Sequence, residues 1–265
     1  MEKELFEFLD NLDDFRSSDH FDFFLLIKEA KNSLQICCDN YFELVNKLKY
    51  HNSKEIESRL WDTNSAFRNR LQKQLSRMLS NYLNSVKSHI DYSRAELFCK
   101  INQNKEVKKK YDDLFKSYNI LNPSHQFIID LRNYSCHRSI IKLGTELKYN
   151  IEWTEPQKSV YILKSNLLEW NGWNSNSKIF IDHYYDRIPL NEILNTFHAN
   201  YEAFQKQIFL LIMLVNQDYI NELLFKIKIL YSNAISVNMT HALPYSNAYI
   251  KYIEKCFLKA KTLLN

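Results

Sequence analysis

The chain has 265 residues, of which 45% are hydrophobic, 14% aromatic and 25% charged, so it holds enough apolar surface to offset chain entropy and is not a disordered protein by composition. Only two glycines, Gly144 and Gly172, and four prolines are present, which argues against a glycine-rich phosphate loop, a dinucleotide-binding fingerprint or a many-turned β-barrel. The net charge of +4 is uneven: residues 1–30 carry nine acids against three bases, and residues 59–110 carry twelve bases against four acids; such a basic stretch is either a footprint for a polyanion or, more commonly, a solvated helix face.

The N-terminal stretch MEKELFEFLDNLDDF is acidic and has no basic flank ahead of an apolar core, so no signal peptide is expected. From Phe21 to Lys49, apolar residues Phe23, Ile27, Ala30, Leu34, Cys37, Tyr41, Leu44 and Leu48 recur at spacings of three and four and predict one amphipathic helix. His51-Asn52-Ser53 breaks it. A second stripe from about Glu55 to Lys100 (Leu60, Phe67, Leu71, Leu75, Met78, Tyr82, Val86, Ile90) predicts a basic helix, which at about 40 residues would reach about 60 Å unless kinked. A shorter helix over Lys105–Tyr118 ends before Asn122-Pro123, because a residue preceding proline disfavours the helical region.

Ser124 is the expected cap of the next helix, His125 to Tyr134. The character then changes. Ile140–Leu143, Ser159–Leu163 and Ile179–Ile181 are short, β-branched and separated by turn residues, and predict a small β insertion of two or three strands at about 139–188. After Pro189 a helical stripe runs from Leu190 to Val215 and on towards Leu230, and a last helix is expected over about Tyr245–Leu263. The longest apolar run, Ile208 to Val215, is eight residues, against the roughly 20 that a spanning helix needs. The cysteines Cys37, Cys38, Cys99, Cys136 and Cys256 are scattered and form no C-x-x-C, which fits reduced thiols in a cytoplasmic protein. These elements predict a mainly α fold in a single domain over residues 1–265.

One segment carries chemistry: Leu131-Arg132-Asn133-Tyr134-Ser135-Cys136-His137-Arg138. An Arg followed by a His after four to six residues is close to a chance event in a chain with nine Arg and eight His. An Arg-Asn pair followed by His at this one spacing is expected only about 0.03 times. The segment resembles the R-N-x-x-x-H signature of HEPN domains (higher eukaryotes and prokaryotes nucleotide-binding). The basic helix with Asn81-Tyr82-Leu83-Asn84-Ser85-Val86 and His89, and the later Leu167-Leu168-Glu169-Trp170-Asn171-Gly172-Trp173, are similar to parts of bacterial members. The resemblance covers about Phe21 to Val215.

That resemblance implies a HEPN-like helical bundle, with the β insertion lying between the motif helix and the following long helix. It implies a homodimer with a composite active site and a metal-independent endoribonuclease of toxin–antitoxin or phage-defence type. Some members instead only bind RNA or nucleotides, or serve as dimerisation modules. RNA, a second copy of the chain and an antitoxin or sensor protein are the implied partners; no cofactor, metal site or membrane is. In these roles His137 exchanges a proton near neutral pH, and Arg132 binds phosphate oxygens and offsets charge that grows in the transition state. Asn133 orients the imidazole or a phosphate, while Arg138 and Tyr134 add RNA contacts. Ser139 stands where HEPN toxins silenced by adenylylation carry a Tyr two residues after the His.

Other readings of these residues stay open at this point. A lone His at a helix end is commonly a surface group, and Arg132 could be an ion-pair partner of Asp130 or Glu146. Cys136 adjoins His137 on a helix, where neighbours do not face each other. His183, Tyr184, Tyr185 and Asp186 suggest a packed edge strand more than a metal site. Trp153, Trp170 and Trp173 suggest an insertion core more than a base-stacking platform. On an ideal helix, five residues turn about 500°, so Arg132 and His137 point about 140° apart. Either the helix ends between them, or a partner subunit supplies the second group.

Overall fold

Apolar residues spaced by three and four dominate this chain, and helices follow. A computed structural model describes residues 2–53, 65–93, 105–118, 122–148 and 157–262. In order, the elements are α1 (Glu2–Arg16), α2 (Asp19–His51), α3 (Ser65–Tyr92), α4 (Lys105–Ser117), α5 (Pro123–His137), β1 (Leu143–Lys148), β2 (Gln157–Leu163), α6 (Lys164–Leu168), α7 (Ser175–His183), β3 (Arg187–Pro189), α8 (Leu190–Val215), α9 (Gln217–Ser236), a 3-10 turn (Thr240–Ala242) and α10 (Asn247–Lys261). The fold is mainly α with one small three-stranded sheet. The outer parts of the predicted second helix, with Leu60 and Lys100, lie outside the described residues, as do Cys99 and Trp153.

The chain divides into two compact units, each assembled from separate segments. One comprises residues 1–32, 92–112 and 205–265; the other comprises 33–91 and 113–204. In the first, α9 packs on α1 and α10. Phe8, Leu12 and Phe15 of α1 are spaced four and three apart and buried, an amphipathic helix where the sequence reading weighed only charge. Phe15 and Phe24 meet the ring of Tyr245 edge-on, at 6.3 and 5.5 Å between centroids.

The second unit has one large core. It joins Leu75, Leu79, Tyr82, Leu83 and Val86 of α3 to Phe127, Ile128, Leu131 and Tyr134 of α5 and to Leu190, Ile193, Leu194, Phe197 and Tyr201 of α8. The sheet order is β1-β2-β3, all antiparallel. Alternation puts Leu143, Val160, Ile162 and Ile188 on the core face. On the other face Gly144 pairs with Tyr161, and a Cβ on Gly144 would meet the Tyr161 ring at 2.4 Å. The ring therefore lies over the bare backbone, and the Arg187 guanidinium covers the ring, 5.0 Å from its centroid.

Several predicted details are corrected. Ile179–Ile181 belongs to a helix, not a strand: Asn174 caps α7 by accepting from the Ser177 N–H at 2.9 Å, and a three-residue apolar run looks alike in either state. His183 therefore ends a helix, and no edge strand runs through Tyr184–Asp186. The third strand is Arg187–Pro189 instead. Ile140–Lys142 leads into β1 without pairing, because its ladder begins at Leu143. The cap of α5 is Asn122, whose side chain accepts from the Ser124 N–H, with Pro123 in the first turn. The long stripe does not run through to Leu230. It breaks at Asn216, whose amide donates back to the Ile212 carbonyl at 2.8 Å, and α9 departs from α8 at 85°. Among the described residues no single helix is long and apolar enough to cross a membrane.

Four of the eight histidines, His51, His89, His125 and His198, are buried in the second unit. His125 packs on Phe197 with ring centroids 4.3 Å apart, and its Nε2 has no hydrogen-bond partner among the described residues. Burial lowers its pKa from 6.5 to about 4, and burial also lowers that of His51. An imidazole that stays neutral when folded binds a proton more readily when unfolded, so stability is held above pH 6.5 and lost as pH falls towards 4. For His125 alone the loss at pH 5 is about 2 kcal/mol. Thermal melts should show the midpoint falling from pH 7 to pH 5, and His125→Phe should remove a measurable part of that fall. An equal fall in the variant would show that this histidine does not carry the effect.

Candidate functional site

The motif sits on α5, whose two faces differ. Phe127, Ile128, Leu131 and Tyr134 point into the core. Arg132 and Asn133 are half-buried, and Cys136, His137 and Arg138 are exposed. Asp130 fixes the roll of the helix. It is buried, and its Oδ2 accepts from the Ser177 hydroxyl at 2.8 Å and the Asn174 N–H at 3.1 Å, while Oδ1 accepts from the Gln126 amide at 3.3 Å. One carboxylate thus ties α5 to the first turn of α7, where the free N–H groups favour negative charge.

Arg132 is held by amides. Its Nε donates to Asn84 Oδ1 on α3 at 3.2 Å, and Nη1 donates to Asn133 Oδ1 at 3.3 Å. Cys136 Sγ lies 3.7 Å from the same Asn84 oxygen. The ion-pair reading of Arg132 is not supported: Asp130 serves α7, and Glu146 pairs with Arg187. Among the described residues no carboxylate pairs with Arg132, so its positive charge is positioned without being cancelled. Asn84 was within the segment that carried the family resemblance, but its contact with Arg132 has no sequence signal, because the two are 48 positions apart.

The remaining predicted residues separate. α5 is continuous through His137, so the helix does not end between Arg132 and His137, and within one chain they stay about 140° apart. The Asn133 carboxamide oxygen is on Arg132, not on the imidazole. Arg138 caps the helix by its own N–H and reaches Glu169 at 3.4 Å; both side chains are at least half exposed, so this pair is weak. Tyr134 is corrected from an RNA contact to a core residue: its hydroxyl donates to the Asn166 carbonyl at 3.1 Å, and its ring stacks on Trp173. Trp170 meets both rings edge-on, and the Trp173 N–H donates to the Leu167 carbonyl. These tryptophans are packed against Tyr134 of α5. His183 is exposed and Asp186 pairs with Arg187.

Comparison with family models, with curated proteins and with solved structures finds no match in any of the three. The functional reading therefore stands on the residues themselves.

Removing the Asp130 carboxylate strands the Ser177 hydroxyl and the Asn174 N–H inside the protein. Asp130→Ala should cost about 2–3 kcal/mol in chemical denaturation. A loss no larger than that of an exposed control such as Asp182→Ala would mean that this carboxylate does not hold α5.

Proposed function

We propose that the chain is a HEPN-type endoribonuclease that acts as a homodimer. The observation that carries the reading is the Arg132 guanidinium, held by two neutral amides with no carboxylate beside it among the described residues, on the same helix as an exposed His137. An arginine kept only for structure is commonly neutralised, whereas one kept for a phosphodiester needs its charge and its remaining N–H donors free.

RNA brings its own nucleophile. The 2′-oxygen attacks the adjacent phosphorus, and a base takes the 2′-hydroxyl proton. The bond to the 5′-oxygen breaks, and that oxygen leaves with a proton. His137 is the proton-transfer group, and Arg132 holds the non-bridging oxygens as their charge grows. Asn133 and Asn84 position Arg132. Arg138 adds phosphate affinity. The products are a 2′,3′-cyclic phosphate and a 5′-hydroxyl. Since one helix cannot turn Arg132 and His137 to the same side, the second copy of the motif completes the site.

The rival reading is a module that binds RNA or a nucleotide without cleaving it. It is favoured by the separation of His137 from Arg132 within one chain.

Purified protein should cleave RNA and leave cyclic-phosphate ends. His137→Ala and Arg132→Ala should each lower the rate by about a hundredfold or more. RNA bound but never cut by the wild type would establish the rival reading, and cutting unchanged in both variants would end the proposal. Asn84 is exposed, so Asn84→Ala should leave the melting curve intact and slow cleavage about tenfold through a looser Arg132. An unaltered rate in that variant would remove Asn84 from the site.

A further inference from the structure

Away from the motif, α2 and α8 of the second unit face each other across a seam of polar and aromatic side chains. The Tyr41 hydroxyl donates to Asn195 Oδ1 at 2.8 Å. One turn along each helix, the Cys38 thiol, a His198 ring nitrogen and a Glu202 carboxylate oxygen lie within 4.8 Å of one another. Cys38 and His198 are buried, and the Glu202 side chain is 30% exposed. His198 and Glu202 are four residues apart on one helix, which puts them on one face. Their Nε2 and Oε2 are 3.9 Å apart, beyond a hydrogen bond. The ligand atoms of a tetrahedral zinc sit about 3.5 Å apart, given metal–ligand bonds of about 2.0–2.3 Å. The cluster therefore needs a contraction of at most about 1.3 Å, which rotation of the Cys38 and Glu202 side chains can supply.

The imidazole is held as a metal-binding histidine is held. The Tyr41 ring stacks on it, with centroids 3.7 Å apart and planes 14° from parallel. The Tyr82 oxygen is 3.1 Å from Nδ1. With Nδ1–H donating to that oxygen, Nε2 carries the lone pair, 3.9 Å from Glu202 Oε2, the outer-shell arrangement that fixes the tautomer of a ligating histidine. Of the two adjacent cysteines only Cys38 is in the cluster. Cys37 is fully buried and lies outside the cluster.

We propose that Cys38, His198 and Glu202 bind one zinc-class divalent cation, with water as the fourth ligand, and so clamp α2 to α8. A mixed sulfur, nitrogen and oxygen set suits zinc and is wrong for magnesium or calcium, which take oxygen. Cys38 releases its proton to solvent as it binds. Glu202 is the entry point, because it alone of the three reaches solvent. The sequence carries little signal for this site, because Cys38 lies 160 positions from His198. The clamp is independent of the nuclease reading, and absence of RNA cleavage would leave it standing.

The test uses the full chain, stripped of metal with a chelator, dialysed and titrated with zinc or cobalt. Elemental analysis should find one zinc per chain, and the melting temperature should rise as zinc is added. The cobalt form should show a thiolate-to-metal charge-transfer band and the visible bands of a tetrahedral centre. Cys38→Ser should abolish that band, and Glu202→Gln should weaken zinc binding at least about tenfold while keeping the wild-type circular dichroism. Should Cys38→Ser fail to fold, the wild-type cobalt spectrum and Glu202→Gln decide alone. Substoichiometric zinc without a thermal shift overturns the proposal, as does a cobalt spectrum without thiolate character. Uptake unchanged in Cys38→Ser or in Glu202→Gln also overturns it.

Discussion

Half of α5 is committed to the core, and that commitment decides what its other half can do. Leu131 and Tyr134 enter the apolar cluster between α3 and the insertion, and Asp130 locks the helix to the start of α7. Fixing the roll of a helix fixes the bearing of every side chain on it. Arg132 must then lie against α3, where Asn84 meets it, and His137 must leave the last turn towards solvent. Arg132 and His137 have no freedom to gather within one chain. Their separation results from good packing and is no looseness of the site.

Helices were legible in the sequence wherever a stripe was long. The predicted segment over Phe21–Lys49 and the observed Asp19–His51 differ by two residues at each end, because eight apolar positions in register leave little choice. The sheet was legible at Ser159–Leu163, which is flanked by strands on both sides and so has the β-branched composition of a buried strand. It was not legible at Ile179–Ile181, where three residues cannot distinguish periods of 2 and 3.6, and where the deciding signal is the Asn174 cap five residues earlier. Tyr134 is a related case: a tyrosine within a motif looks exposed until Leu131, three positions before it, is known to be core. The motif itself could be found because it is local. Asn84 with Arg132, and Cys38 with His198, could not be found, because both pairings are made by the fold.

Both clusters of interest in the second unit depend on α3. Tyr82 turns inward and reaches the imidazole of His198, while Asn84, two residues on, turns outward and reaches Arg132. The helix period separates them by about 200°, so one short stretch supports a buried polar group on one side and a cation on the other. The same stretch buries Leu79, Leu83 and Val86, which gives it little room to shift. Rigid support of this kind is what a guanidinium needs if it is to meet a phosphate without first being reorganised.

The two units interleave along the chain, and this constrains how the protein is made. Residues 1–32 belong with residues 205–265, so the first helices leave the ribosome long before the segment that completes their unit exists. The intervening unit can close around its own core in the meantime. Apolar faces on α1 and the start of α2 must wait until residues 205–265 have been made, a delay that exposes them to nascent neighbours and chaperones. No pair of cuts can excise the first unit, and a chain that stops early loses its beginning as well as its end.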